Sequence, residues 1–198
     1  MPVRASLPLV DARGISAARL DEYLGWLGAG EAQRYQRFVR PERRRQFLIG
    51  RVLARTMLGE LLGVAPRDLL ITDRPGQAPV LAGPHPNTSF SISHSGSWVA
   101  CAASADSALG LDIELLDGAR DLAALAAHAF DAERCAWLAA RPAADRLRAF
   151  YHLWSAQEAR IKLGAEPAAT VELFHPELSI VLCSAKPLDQ PPTLGSGL

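Results

Sequence analysis

Cysteine is scarce in this sequence: Cys101, Cys135 and Cys183 are scattered, odd in number and free of CxxC or Cys/His spacing. That scarcity argues against a disulfide framework and against a zinc site. Long apolar runs are missing as well, and none approaches the roughly 18 residues of a spanning helix. The N-terminal MPVRASLPLVDARG lacks the unbroken apolar core of a signal peptide. Cytoplasmic residence away from a membrane is the expectation. Nor does either sign of charge prevail. With 21 Lys and Arg against 21 Asp and Glu, no global field draws the chain to nucleic acid. No internal repeat is visible. The GxSxG elbow is also absent, which leaves a serine hydrolase little support although Ser, His and Asp all occur.

What is present is an ordinary globular composition, 49% hydrophobic and 21% charged over 198 residues, enough for one large or two small domains. The charge is unevenly laid out. Residues 34 to 55 hold Arg34, Arg37, Arg40, Arg43, Arg44, Arg45, Arg51 and Arg55 against one acid, Glu42. Acids gather later, at Asp112, Glu114, Asp117, Asp121, Asp131 and Glu133. A basic segment followed by an acidic one suits a polyphosphate ligand held between arginines and a metal.

Apolar spacing predicts an opening strand in the first dozen residues, a helix from Ser16 to about Leu27, and a stronger helix over Pro41 to Leu62 closed by Gly63. Arg74 to Pro86 reads as loop with short extended pieces. Strands are expected at Ser89 to Ser93 and Trp98 to Ala103, around the turn Ser95-Gly96-Ser97, and at Leu109 to Leu115. Helices follow near Leu122 to Ala129, Ala132 to Ala140 and Arg146 to Leu163, then a strand from Leu178 to Cys183. The Pro- and Gly-rich tail after Lys186 is expected to fray. Without regular βαβ alternation this order gives an α+β fold. A boundary near residues 104 to 108 would divide the chain into halves 1–105 and 106–198.

Four stretches carry the chemistry. In Gly110-Leu111-Asp112-Ile113-Glu114, strand alternation puts Asp112 and Glu114 on one face about 7 Å apart, within reach of one hard cation. A solvated acidic strand face is the other reading. On the helix through Tyr151, Trp154, Glu158 and Ile161, Glu158 sits in an otherwise apolar stripe and needs a partner. A metal would supply one, and so would an ion pair with Lys162 at i+4. In Phe90-Ser91-Ile92-Ser93-His94-Ser95, the alternation points Phe90 and Ile92 inward, Ser91 and Ser93 outward. His94 at the strand end is a phosphate donor or an ordinary turn residue. Arg74-Pro75-Gly76-Gln77-Ala78-Pro79 shapes a tight turn able to approach a base or a phosphate, as many surface loops do.

Taken in order, these pieces resemble the 4′-phosphopantetheinyl transferases, of the larger, monomeric, surfactin-synthetase-activating type. That family shows a basic helix with a GR motif, a G-K-P loop, F-N-x-S-H-S, G-x-D-x-E and W-x-x-K-E-A-x-x-K. The counterparts here are Gly50-Arg51, Gln77-Ala78-Pro79, Phe90 to Ser95, Gly110 to Glu114 and Trp154 to Lys162. Five ordered motifs over residues 34 to 164 are far more specific than any one of them.

The resemblance implies a pseudo-twofold pair of α+β halves with coenzyme A between them. It implies Asp112, Glu114 and Glu158 as Mg2+ ligands, with Lys162 counted beside them in catalysis. Ser93, His94 and Lys162 would meet phosphate, Arg34 the 3′-phosphate, and Arg74, Gly76 and Pro79 the adenine side. Arg51 would brace the fold. The implied reaction is attack by a serine of an apo acyl or peptidyl carrier protein on the β-phosphorus, with release of 3′,5′-ADP. Glu158 would take the serine proton directly or through water. Several departures stand out: Gln157 for lysine, Ser91 for asparagine, Gln77-Ala78-Pro79 for G-K-P, and a short stretch between Gly164 and Leu178. They favour, as the competing reading, a non-catalytic relative that only binds coenzyme A or a carrier.

Overall fold

The computed structural model describes residues 7–74 and 76–198. Strand β1 (Leu7–Asp11) leads into helices α1 (Ala17–Leu24), α2 (Ala29–Arg37) and α3 (Pro41–Leu62). A hairpin of β2 (Ile71–Arg74) and β3 (Gln77–Leu81) follows, then strands β4 (Ser89–Ser95), β5 (Trp98–Ser104) and β6 (Leu109–Leu115). Helices α4 (Leu122–Ala129), α5 (Ala132–Ala139) and α6 (Ala143–Leu163) precede β7 (Ala169–Phe174), β8 (Leu178–Ser184) and β9 (Leu194–Gly195). The α+β class expected from the sequence is what the chain adopts.

Local chemistry explains the boundaries. Ser16, Asp121 and Asp131 cap α1, α4 and α5 by accepting the N–H of Arg19, Ala124 and Arg134. Pro41 opens α3, and Gly63 and Gly164, both left-handed at φ 65° and 71°, close α3 and α6. Besides the two-stranded β2-β3 hairpin, two larger sheets result, ordered β4-β5-β1-β9 and β6-β8-β7. Helix α3 lies on the first through Ile49, Leu53, Val99, Cys101 and Ala103. Helix α6 lies on the second through Ala159, Leu163, Val181 and Cys183. Between the sheets Leu7, Ala100 and Ala102 meet Leu111, Ile113, Leu178, Ile180 and Leu182. The layers therefore run α3, first sheet, second sheet, α6.

Four features differ from the sequence expectation. Helix α2 went unpredicted because it is poor in apolar residues; it is held instead by Glu31, 2% exposed, which pairs with Arg55 and Arg51 of α3. Strand β7 fills the stretch between Gly164 and Leu178. The tail does not fray after Lys186: β9 pairs in parallel with β1, Leu194 opposite Leu7, and Leu188 and Leu194 pack on the intersheet core. Ile161, placed by its spacing in a burying stripe, is 63% exposed. The buried stripe of α6 is Tyr151, Ser155, Ala159 and Leu163, because the helix backbone itself rests on Gly110. A Cβ at Gly110 would stand 2.0 Å from the Ala159 carbonyl oxygen. Among the described residues no helix is long and apolar enough to cross a membrane.

Candidate active site

Strands β4 and β6 are edges of different sheets, and an edge leaves backbone N–H groups to be satisfied. Here side chains do it. Ser91, Ser93 and Ser95 Oγ accept the N–H of Leu111, Ile113 and Leu115 at 2.9, 3.1 and 3.0 Å. Two of these hydroxyls also donate to the acids of β6: Ser93 to Asp112 Oδ1 at 3.1 Å, Ser95 to Glu114 Oε2 at 2.8 Å. Lys162 of α6 completes the group, with Nζ donating to Asp112 Oδ1 at 2.8 Å and to Ser93 Oγ and the Leu111 carbonyl at 3.0 Å each. Ser93 thereby uses its one donor and both lone pairs.

Asp112 is 4% exposed, and its Oδ2 is buried without a hydrogen-bond partner. Burial pushes the Glu114 carboxyl up, and the charge of Asp112 adds to this, while hydrogen bonds from Ser95 and Trp154 and the charge of Lys162 oppose it. The acidic face of β6 is thus the dry side of a seam and not a solvated surface. Two carboxylates on one strand face, one with an orphaned oxygen, are the oxygen-donor chemistry of a hard divalent cation.

The opposite face of β4 meets α3. Gly50 allows close approach, since a Cβ there would lie 2.8 Å from Ile92 Cγ2. Two turns before Gly50, Arg43 Nη1 lies within 3.0 Å of both ring nitrogens of His94. Burial, then the charges of Arg43 and Lys162, push His94 down to about 4. Further along α3, Arg51 and Arg55 are buried with Glu31 as partner. Arg51 also bonds Asp73 of β2, to which Arg34 donates at 2.7 Å. Arg51 therefore ties α3 to α2 and the hairpin. Arg34 remains half exposed at its edge. In the hairpin, Arg74 Nε donates to the Ala78 carbonyl at 3.0 Å, Gly76 turns at φ 68°, and Pro79 is half-buried on β3.

The residues singled out in the sequence thus fall into groups. Ser93, Asp112 and Lys162 are in mutual contact, Glu114 lies beside them, and His94 projects from the other side of β4. Arg34, Arg74, Gly76 and Pro79 belong to the neighbouring helix and hairpin. Glu158 is not gathered in. It is half-buried one turn beyond Trp154, and makes no hydrogen bond or ion pair among the described residues; in particular it does not pair with Lys162. Among the described residues no group of three His, Cys, Asp or Glu side chains is disposed to hold a metal. Arg43 and Gln46 are contributors that the motifs did not single out, while Ser95, the last residue of the serine-histidine-serine stretch, joins the seam through Glu114 and the Leu115 N–H. The signal for Arg43 was its place two turns ahead of a glycine on the face toward β4. A concavity of about 820 Å³ lies elsewhere, around Arg134, Gln157, Arg160 and Cys183, and contains neither strand acid. Gln157 lines it and accepts from Arg134 at 3.3 Å.

The N-terminal domain of 4′-phosphopantetheinyl transferases matches residues 16–106, and the 4′-phosphopantetheinyl transferase superfamily matches residues 108–175. The chain belongs to the 4′-phosphopantetheinyl transferase superfamily. It is 29% identical over 172 residues to the 4′-phosphopantetheinyl transferase HetI of Nostoc sp., covering 86% of this chain and 71% of that protein. Against the 4′-phosphopantetheinyl transferase psf-1 of Bacillus pumilus the identity is 36% over 60% of this chain and 49% of the relative. A 4′-phosphopantetheinyl transferase of Bacillus subtilis shares 30% over 76% of this chain and 65% of its own length. The match spans between about half and seven tenths of the length of these relatives. The two matched regions meet between β5 and β6, the strands that flank the turn leading into the seam.

Proposed function

We propose that this protein transfers the 4′-phosphopantetheine arm of coenzyme A to a serine of an apo acyl or peptidyl carrier protein, as a Mg2+-dependent monomer of the cytoplasm, with release of 3′,5′-ADP. The observation that carries this reading is the buried, unpartnered Oδ2 of Asp112 beside Glu114 and Lys162. A dry carboxylate oxygen without a partner is costly, and a cation held by Asp112 and Glu114 relieves that cost. Bound there, Mg2+ would offset charge on the pyrophosphate while its β-phosphorus is attacked. Lys162, fixed by Asp112 and Ser93, holds a positive charge at the edge of the same group, where phosphate oxygens gain charge. His94, kept neutral, offers hydrogen bonding to phosphate from the other side of β4. Arg34, Arg74, Gly76 and Pro79 would border the nucleotide. Glu158 would complete the acids or accept the carrier serine's proton. The division into halves 1–105 and 106–198 as a pseudo-twofold pair is supported by the like roles of α3 and α6, each laid on one sheet.

The test is a mass measurement. An apo carrier mixed with coenzyme A, Mg2+ and this protein should gain one phosphopantetheine, and Asp112→Ala, still folded by circular dichroism, should lower the rate at least about a hundredfold. A variant as fast as the parent would remove Asp112 from the chemistry. A second reading, binding without transfer, is favoured by the unengaged Glu158 and by Gln77 and Gln157 in place of cations. Calorimetric binding of coenzyme A with no mass gain on any carrier would establish it.

A further inference from the structure

Helix α6 rests on β6 and β8 through its buried stripe of Tyr151, Ser155, Ala159 and Leu163. Contacts with both strands fix the register. Ala159 meets Gly110 of β6 and packs with Val181 of β8, while Ser179 of β8 donates to the Tyr151 carbonyl at 3.1 Å. Ser155 stands one turn from each. It therefore lies over the stretch where Asp112 pairs with Val181 and Glu114 with Ser179. Ser155 is fully buried, and its Oγ has no hydrogen-bond partner. A helical serine often bonds back to the carbonyl four residues earlier. Here that carbonyl belongs to Tyr151, and the Ser155 N–H and the Ser179 hydroxyl already take both its lone pairs.

The acid beneath this hydroxyl is its complement. Asp112 Oδ1 accepts from Ser93 and from Lys162, which occupies both of its lone pairs. Oδ2, buried and unpartnered, keeps two. A metal uses one of them and leaves the other for a protein donor. Among the described residues, Ser155 is the buried, unpartnered donor on the stripe that covers Asp112. The two side chains are not bonded to each other, and a χ1 turn of the serine or one bridging water joins them. Outer partners of this kind hold a carboxylate in line with its metal. We propose that Ser155 is a positioning residue, whose hydroxyl donates to Asp112 and orients Oδ2 toward the divalent ion. The assignment rests on the Mg2+ reading above. Ser155 itself touches neither the ion nor the substrate.

Binding of Mn2+ in place of Mg2+, followed by electron paramagnetic resonance of the free ion with coenzyme A present, reads this role directly. Ser155→Ala should weaken Mn2+ by about tenfold or more. Melted without metal, the same variant should be at least as stable as the parent, because the lost hydroxyl had no partner. In an Asp112→Asn background, Ser155→Ala should weaken Mn2+ by less than about twofold further, since the serine acts through that carboxylate. A Ser155→Ala protein within about twofold of the parent for Mn2+ overturns the proposal, and so does a full further loss beside Asp112→Asn. A variant that is destabilised without metal also overturns it, because the hydroxyl is then structural. Parent protein that binds no Mn2+ overturns it together with the Mg2+ reading. Parent protein that binds Mn2+ yet transfers nothing to a carrier counts against the transferase reading alone, and the Mn2+ comparison still decides Ser155.

Discussion

His94 stands between Arg43 of α3 and Lys162 of α6 with no carboxylate beside it. Burial and those two charges keep its ring neutral in the folded protein down to about pH 4, whereas the unfolded chain takes a proton near pH 6.5. Between those values the unfolded state binds more protons, so stability falls as pH is lowered through the window, by roughly 3 kcal/mol in all. His94→Gln should therefore hold its urea midpoint more nearly constant from pH 6.5 to 4.5 than the parent does. Equal declines in both proteins would show that other groups cause the loss. The sequence displayed His94 and the alternation of Asp112 with Glu114, because a strand's side-chain period is readable over five residues. It did not display their burial. The strand that covers the acids comes from some twenty residues away, and only pairing across the seam turns a polar face inward. Arg43 was hidden for a related reason: among Arg43, Arg44 and Arg45, helix phase matters only once the face toward β4 is known.

At the scale of elements, β6 and α6 approach closely at Gly110. An added Cβ would meet the Ala159 carbonyl oxygen at 2.0 Å and the Leu163 nitrogen at 2.6 Å, both main-chain atoms that cannot rotate aside. Gly110→Ala should cost at least about 3 kcal/mol, measured as a lower urea midpoint at unchanged slope. An unchanged midpoint would mean that strand and helix are not in such contact. This contact also explains why the stripe on α6 was misjudged. Spacing alone joined Glu158 to Tyr151, Trp154 and Ile161, but a helix that rests its backbone on a glycine buries its small residues, Ser155 and Ala159, and turns Ile161 outward. The strong elements α3, β4, β5, β6 and β8 were legible because their apolar periodicity is dense. Helix α2 and strand β9 were not, since one is held by buried ion pairs and the other by a distant strand.

For the molecule as a whole, the residues between the sheets come from both ends of the chain. Leu7, Ala100 and Ala102 share one cluster with Leu111, Ile180 and Leu182. Neither sheet keeps that face dry alone, so the chain should unfold in one step. Tryptophan fluorescence, which draws on Trp26 and Trp98 in one half and Trp137 and Trp154 in the other, should follow the same urea curve as far-ultraviolet circular dichroism. Two separated transitions would show that the halves are independent. The hydroxyl stitches of β4 carry a further consequence, because they are alternate letters of a seven-residue word. A single inserted residue ahead of Ser91 would rotate the remaining letters by half a turn. Ile92 and His94 would then confront the main chain of β6, and the hydroxyls would be driven toward α3. Evolution can lengthen the hairpin upstream with little penalty, but the spelling of this strand admits substitutions and not shifts of frame.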